Sequence, residues 1–250
     1  MVSYNSYPKD TDALLGNNST TTGAGPSLLE NAQQDDRQGF VRKVYGIVTA
    51  QLTFTFGAIA VTKAVPEVED WMQGQAGLAT GAIFLALIPQ CMILCCKSVA
   101  RKVPTNYMLL FIFTSLFSFF FMYVCSLYDV TDVLTAAGMT LGMTVAITLY
   151  AFWTKTDFTT CGSLFFCLSI GMLCLCLVSI FCTFGSWWHP LVSAACVVIY
   201  GLYLIFDTQL IAGGRRHELS IDDYVVGAML IYTDIMMIFL ELLKIFGNKS

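Results

Sequence analysis

Between residues 44 and 246 the chain is a succession of seven apolar stretches, and no other feature restricts its fold as severely. They run over about 44–62, 76–96, 106–127, 133–153, 161–184, 191–211 and 224–246, each near the ~20 residues a helix needs to cross a bilayer. Charged residues make up 12% of the chain and hydrophobic ones 56%, whereas a soluble domain carries roughly 25% charged residues. The expected fold class is an all-α integral membrane protein, a seven-transmembrane-helix bundle. With 13 Lys and Arg against 17 Asp and Glu, the chain has no basic field for phosphates, which excludes a nucleic-acid partner and leaves the lipid bilayer as the primary one.

Residues 1–39 are polar, with Asn17, Asn18, Ser19 and a run of threonines, and read as a disordered tail ahead of a transmembrane domain at 40–250. Pro66, Pro104 and Pro190 fall in connections or at a helix start, where a missing N–H costs least. Pro89 falls inside the second stretch and predicts a kink there.

Lys and Arg set the orientation, because short loops retain them on the cytoplasmic side. Arg37, Arg42 and Lys43 precede the first stretch; Lys97, Arg101 and Lys102 follow the second; Lys155 follows the fourth; Arg215 and Arg216 follow the sixth. These share one side. The opposite connections hold Lys63 with Glu67, Glu69 and Asp70, then Asp129 and Asp132, then Ser186 to His189. The N-terminus is therefore expected in the cytoplasm, the reverse of a seven-span receptor. Lys244 and Lys249 would also suit a cytoplasmic end, so a re-entrant last segment is the alternative to a full crossing. On this topology the glycosylation patterns at Asn17 and Asn18 face the wrong compartment, and the one at Asn248 is too close to the bilayer.

Few ionisable groups remain inside the stretches: Asp207 in the sixth, Asp234 and Glu241 in the seventh, and Lys244 near its end. An intramembrane carboxylate costs several kcal/mol, so it faces a partner or water, and function is the default reading. Asp207 and Asp234 lie on consecutive antiparallel helices and can face each other if the sixth helix continues through Ala212 and Gly213 or if the helices tilt. Two carboxyl groups in hydrogen-bonding reach in a low dielectric hold a proton between them. Deprotonated, they offer the hard oxygen ligands that Ca²⁺ prefers. A pH-sensing, gating pair on a cation path, with transient calcium ligation, follows. The bland alternative is that each Asp bonds nearby hydroxyls such as Thr208, Tyr232 or Thr233 and only holds the helices together. Glu241 either extends the acidic track or pairs with Lys244 three residues on.

The remaining motifs are weaker. Ten cysteines lie almost wholly in apolar stretches, and the only histidines, His189 and His217, fall on opposite sides of the membrane, so no Cys/His metal framework or other cofactor is expected. Cys125 and Cys182 approach the same outer face and are candidates for a disulfide; Cys95 and Cys96 beside Lys97 are candidates for acylation. Gly138 and Gly142 form a GxxxG pattern, expected to serve packing within the bundle, with a dimer face as the alternative that the spacing does not separate from it. Trp187 and Trp188 read as an interface anchor. Ser186 and His189 lack the buried, aligned setting of a protease.

Phe206-Asp207-Thr208-Gln209-Leu210-Ile211, a short polar loop, Tyr224-Val225-Val226-Gly227-Ala228 and Ile231-Tyr232-Thr233-Asp234-Ile235 closely resemble the last two helices of the transmembrane Bax-inhibitor motif family, in its Lifeguard branch. Phe40-Val41-Arg42-Lys43-Val44-Tyr45 and Leu243-Lys244-Ile245-Phe246-Gly247 also look like that branch, so the resemblance spans about 39–247. It implies a bundle with the last helix central, passive Ca²⁺ leak from intracellular stores, pH sensitivity, protection against cell death, and membrane-protein partners in death pathways. Endoplasmic reticulum or Golgi is the implied location, with the plasma membrane as an alternative. Asp207 and Asp234 occupy the family's carboxylate dyad. Two departures stand out: the tail holds only Pro8 and Pro26, and the stretch 76–96 has no Lys or Arg to latch the dyad, with Lys97 and Arg101 just beyond its end. A non-conducting scaffold and an intramembrane aspartyl protease are the competing functions; against the protease, Asp234 follows Ile231-Tyr232-Thr233 instead of Gly-x-Gly, and no proline follows Pro190.

Overall fold

The computed structural model describes residues 26–181 and 188–247. Nine α-helices are described: α1 (Pro26–Ala64), α2 (Pro66–Gln73), α3 (Ala76–Cys95), α4 (Lys97–Ala100), α5 (Thr105–Ser126), α6 (Val130–Trp153), α7 (Gly162–Phe181), α8 (Trp188–Ala212) and α9 (Tyr224–Phe246). Six of them, α1, α3, α5, α6, α8 and α9, are long and apolar enough to cross a membrane. The 20-residue α7 is apolar throughout and makes the seventh.

Local chemistry places the boundaries. Pro66 opens α2, where its missing N–H is an orphan in any case. Asp132 lies in the first turn of α6, where the helix dipole favours an acid. Gly213, with φ +73°, stops α8 just after Ala212, and its N–H bonds the Gln209 carbonyl at 3.1 Å. The helix α3 continues through Pro89, which is buried inside it. No described residue is in a strand.

One boundary is corrected. Residues 26–39, expected to belong to a disordered tail, are the first part of α1. Toward the end of this segment Arg37 donates to the Leu219 carbonyl at 2.6 Å and the Leu210 carbonyl at 2.7 Å, and its guanidinium lies 5.0 Å from the Phe40 ring centroid. Asn17, Asn18, Cys182, Trp187 and Asn248 lie outside the described residues.

The core is built on α9. In its most apolar window 78% of residues are buried, against 17–44% in the other candidate spans, so α9 occupies the centre. It packs on α8, α1 and α6 and touches α3 and α5, while α7 rests on α8. The outer helices turn large side chains outward, among them Phe84, Ile88, Phe111, Leu134 and Leu141. A soluble monomer rarely exposes so much contiguous apolar surface, whereas lipid tails accept it. Hydroxyls and amides bind the inner helices: Gln51 on α1 donates to Thr114 on α5 at 2.8 Å, and Thr55 on α1 lies 2.8 Å from both Ser118 on α5 and Tyr232 on α9. Gly138 and Gly142 do not serve this packing as expected. Both are exposed on α6, and a Cβ at either would meet nothing within 4 Å.

Candidate functional site

Asp207 and Asp234 meet at the centre of the bundle. Each residue is 6% exposed, and their carboxyl groups lie within hydrogen-bonding reach of one another. Two ionised carboxylates this close in a low dielectric would repel, and a proton held between them relieves that repulsion. The sequence makes the approach possible. Asp207 and Ile211 are four residues apart on α8, Gly227 and Asp234 seven apart on α9, so each pair shares a helix face. A Cβ at Gly227 would sit 3.2 Å from Ile211 Cγ1, tighter than an ordinary contact. Gly227 therefore lets α9 come close to α8, and the two acids meet farther along the same seam.

Of the three hydroxyls that could reduce the pair to a structural fastener, two are engaged elsewhere, while Thr208 Oγ1 is buried with no hydrogen-bond partner. Tyr232 bonds Thr55, and the Thr233 hydroxyl donates to the Met229 carbonyl at 2.7 Å. Asp234 Oδ2 is buried with no hydrogen-bond partner. An orphaned carboxyl oxygen inside a bundle is costly and marks a place where a proton, water or cation is accommodated.

A half-open cavity of about 220 Å³ reaches Asp207. It lies over α9, in the gap left because α3 packs mainly on α5 while α8 packs mainly on α9 and α6. Its walls are apolar, its inner part includes Tyr203 and Asp207, and Lys97 and Asp223 stand toward its basic end. Asp223 immediately precedes α9 but caps no N–H with its side chain, because that carboxylate receives a two-point contact from Arg101, at 2.7 Å from Nε and 2.8 Å from Nη2. Lys97 thus lines the dyad's cavity, whereas Arg101 stops at its rim.

The basic residues gather at this end. Besides Arg37 and Arg101, Lys43 lies 3.2 Å from the centroid of the Tyr224 ring, and Arg215 donates to the carbonyls of Thr154 and Lys155. At the far end, Lys63 pairs with Glu69 and also bonds the Tyr128 carbonyl. Glu241 pairs with Lys244 at 2.8 Å, the local i,i+3 contact expected as the alternative to an acidic track. Two helix turns, roughly 10 Å, separate it from Asp234. Among the described residues no three His, Cys, Asp or Glu side chains come together as a metal cage. Cys95 and Cys96 are free and exposed at the end of α3, and Cys125 is free and buried.

Comparison with known proteins places the chain in a family. Residues 37–250 match the family described as "Inhibitor of apoptosis-promoting Bax1". The chain belongs to this family. This Bax-inhibitor family chain is 32% identical over 217 residues to Protein lifeguard 3 of Homo sapiens, covering 86% of the chain and 70% of that protein. It is 31% identical over 233 residues to Protein lifeguard 3 of Mus musculus, covering 91% and 75%. It is 32% identical over 234 residues to Protein LIFEGUARD 1 of Arabidopsis thaliana, covering 91% and 97%. The resemblance read from the two Asp segments is thus the family the whole domain matches.

Sequence reasoning about this Bax-inhibitor family chain missed Gln209. Its side chain accepts from the Phe158 N–H at 2.9 Å and donates to the Thr156 carbonyl at 3.0 Å, which fixes the α6–α7 connection against α8. A fully buried amide two residues after Asp207, inside an apolar stretch, was the available clue.

Proposed function

We propose that this Bax-inhibitor family chain is a Ca²⁺-permeable leak path of an intracellular membrane, endoplasmic reticulum or Golgi, that protects cells against death signalling and is gated by the Asp207–Asp234 pair. The observation that carries the reading is the contact between two buried carboxyl groups beside a cavity, with one of their oxygens unpartnered. With one proton shared, α8 and α9 are held together and the path is shut. Loss of that proton leaves two anions in contact in a low dielectric, which repel, part the helices toward the cavity and offer oxygen ligands. Calcium takes six to eight oxygens, whereas two carboxylates supply at most four, so the ion keeps part of its water and passes without being trapped. The basic end of the bundle faces the cytoplasm in this scheme. The anti-apoptotic role is supported by the description of the matched family.

The test is Ca²⁺ flux in proteoliposomes as a function of pH. Wild-type flux rises with pH as the shared proton leaves. In Asp207→Asn and Asp234→Asn the pair can no longer become a double anion, so the pH response is lost and high-pH flux falls several-fold. Unchanged flux and pH response in both variants would sink the mechanism. Protein that conducts nothing, yet protects cells with both acids replaced, would establish a non-conducting scaffold.

A further inference from the structure

The cavity beside Asp207 has a chemistry of its own, apart from ion passage. Ile93 and Leu94 of α3, Phe206 and Leu210 of α8, and Val226 and Leu230 of α9 give it apolar walls. The polar groups on it are unequally engaged. The Tyr203 hydroxyl donates to the Phe165 carbonyl on α7 at 2.5 Å, and Asp223 receives Arg101. Lys97 is an exposed residue near the basic end. Deep in the cavity the polar group on the lining is therefore an acid, the Asp207 carboxyl, whose neighbour Asp234 is a second acid. A guest that fits must be apolar in body and carry a donor, preferably a positive one, at its inner tip. A fatty acid is mismatched, because a headgroup near Lys97 would drive its tail against Asp207. A hydrophobic amine is matched in both respects. Size agrees: an apolar protein cavity of about 150 Å³ holds a benzene ring, so 220 Å³ suits a compact amine of about ten heavy atoms.

We propose that the gap between α3 and α8 is a binding site for hydrophobic amines, with the ammonium on Asp207 and the hydrocarbon body between Leu94, Leu210 and Leu230. The proposal uses the carboxyl but not conduction, so it stands or falls separately from the leak reading.

The probe is 1-aminoadamantane, with 1-hydroxyadamantane as its neutral partner, titrated calorimetrically into the full chain in lipid nanodiscs after subtraction of empty nanodiscs. The amine binds saturably, and the alcohol at least about tenfold more weakly. Asp207→Asn brings the amine down to the alcohol's level, and Leu230→Trp, which adds bulk to the cavity wall and leaves both acids in the chain, abolishes both. Equal binding of amine and alcohol to the wild type overturns the proposal. So does amine binding that persists undiminished in Leu230→Trp while its thermal unfolding remains cooperative. If Asp207→Asn does not fold, these two comparisons decide the matter alone. Amine binding without Ca²⁺ flux would retire the leak reading and keep the site; flux lost in the Asp variants without amine binding would do the reverse.

Discussion

Asp157 shows how a single carboxylate can fasten the basic end. Burial by itself pushes its carboxyl up, but hydrogen bonds from the Thr159 hydroxyl and from the Arg216 and Thr159 N–H groups, with the charge of Arg215, outweigh this and hold it below the usual carboxylate range. A carboxyl lowered on folding stabilises the protein above its unfolded value, about pH 4, and that contribution is lost as the pH falls through the lower folded value. Asp157→Asn should therefore lower the melting temperature at neutral pH and flatten its acid limb, as read by thermal unfolding in detergent between about pH 3 and 7. At this scale the sequence was readable where a residue was expensive. Asp207 and Asp234 stood out because acids are costly in hydrocarbon. Arg37, Arg101 and Asp157 did not, since charges in or next to connections are ordinary and each has a partner more than 50 residues away in the chain.

At the scale of elements, the turn after α8 separates two costs that usually come together. Gly213 and Gly214 both have positive φ, +73° and +70°, which penalises any Cβ. At Gly214 the added carbon would meet nothing within 4 Å; at Gly213 it would collide with the Arg37 guanidinium, 2.7 Å from Cζ. Gly214→Ala should cost about 1 kcal/mol and Gly213→Ala at least about twice that, with the excess removed when Arg37 is also alanine, as a double-mutant cycle in thermal unfolding would show. Element positions were largely legible: α3, α5, α6, α8 and α9 start and stop within a few residues of the apolar stretches, because hydropathy and length dictate a crossing helix. The early start of α1 was not, because residues 26–39 are polar and one of them, Arg37, is anchored by carbonyls that only the folded chain brings near. The Gly138/Gly142 spacing was legible but its use within the bundle was not, since a small-residue pattern does not say which side of its helix meets a neighbour.

For the whole molecule, the basic residues of four separate segments collect at one end, and this makes orientation testable without reference to function. In sealed microsomes with the cytoplasmic face outward, an impermeant maleimide should label a single cysteine kept at Cys96, while one introduced as Glu67→Cys should react only after permeabilisation; the opposite pattern would invert the topology. The central place of α9 carries a consequence for how the protein is made. Chains emerge from the ribosome N-terminus first, so the helix that fills the middle arrives last. Until Tyr224 to Phe246 is delivered, the earlier helices surround a vacancy lined with Thr55, Ser118 and Asp207, polar groups that have lost the neighbours that α9 provides. Assembly is then a closing of partly built walls around a late insert.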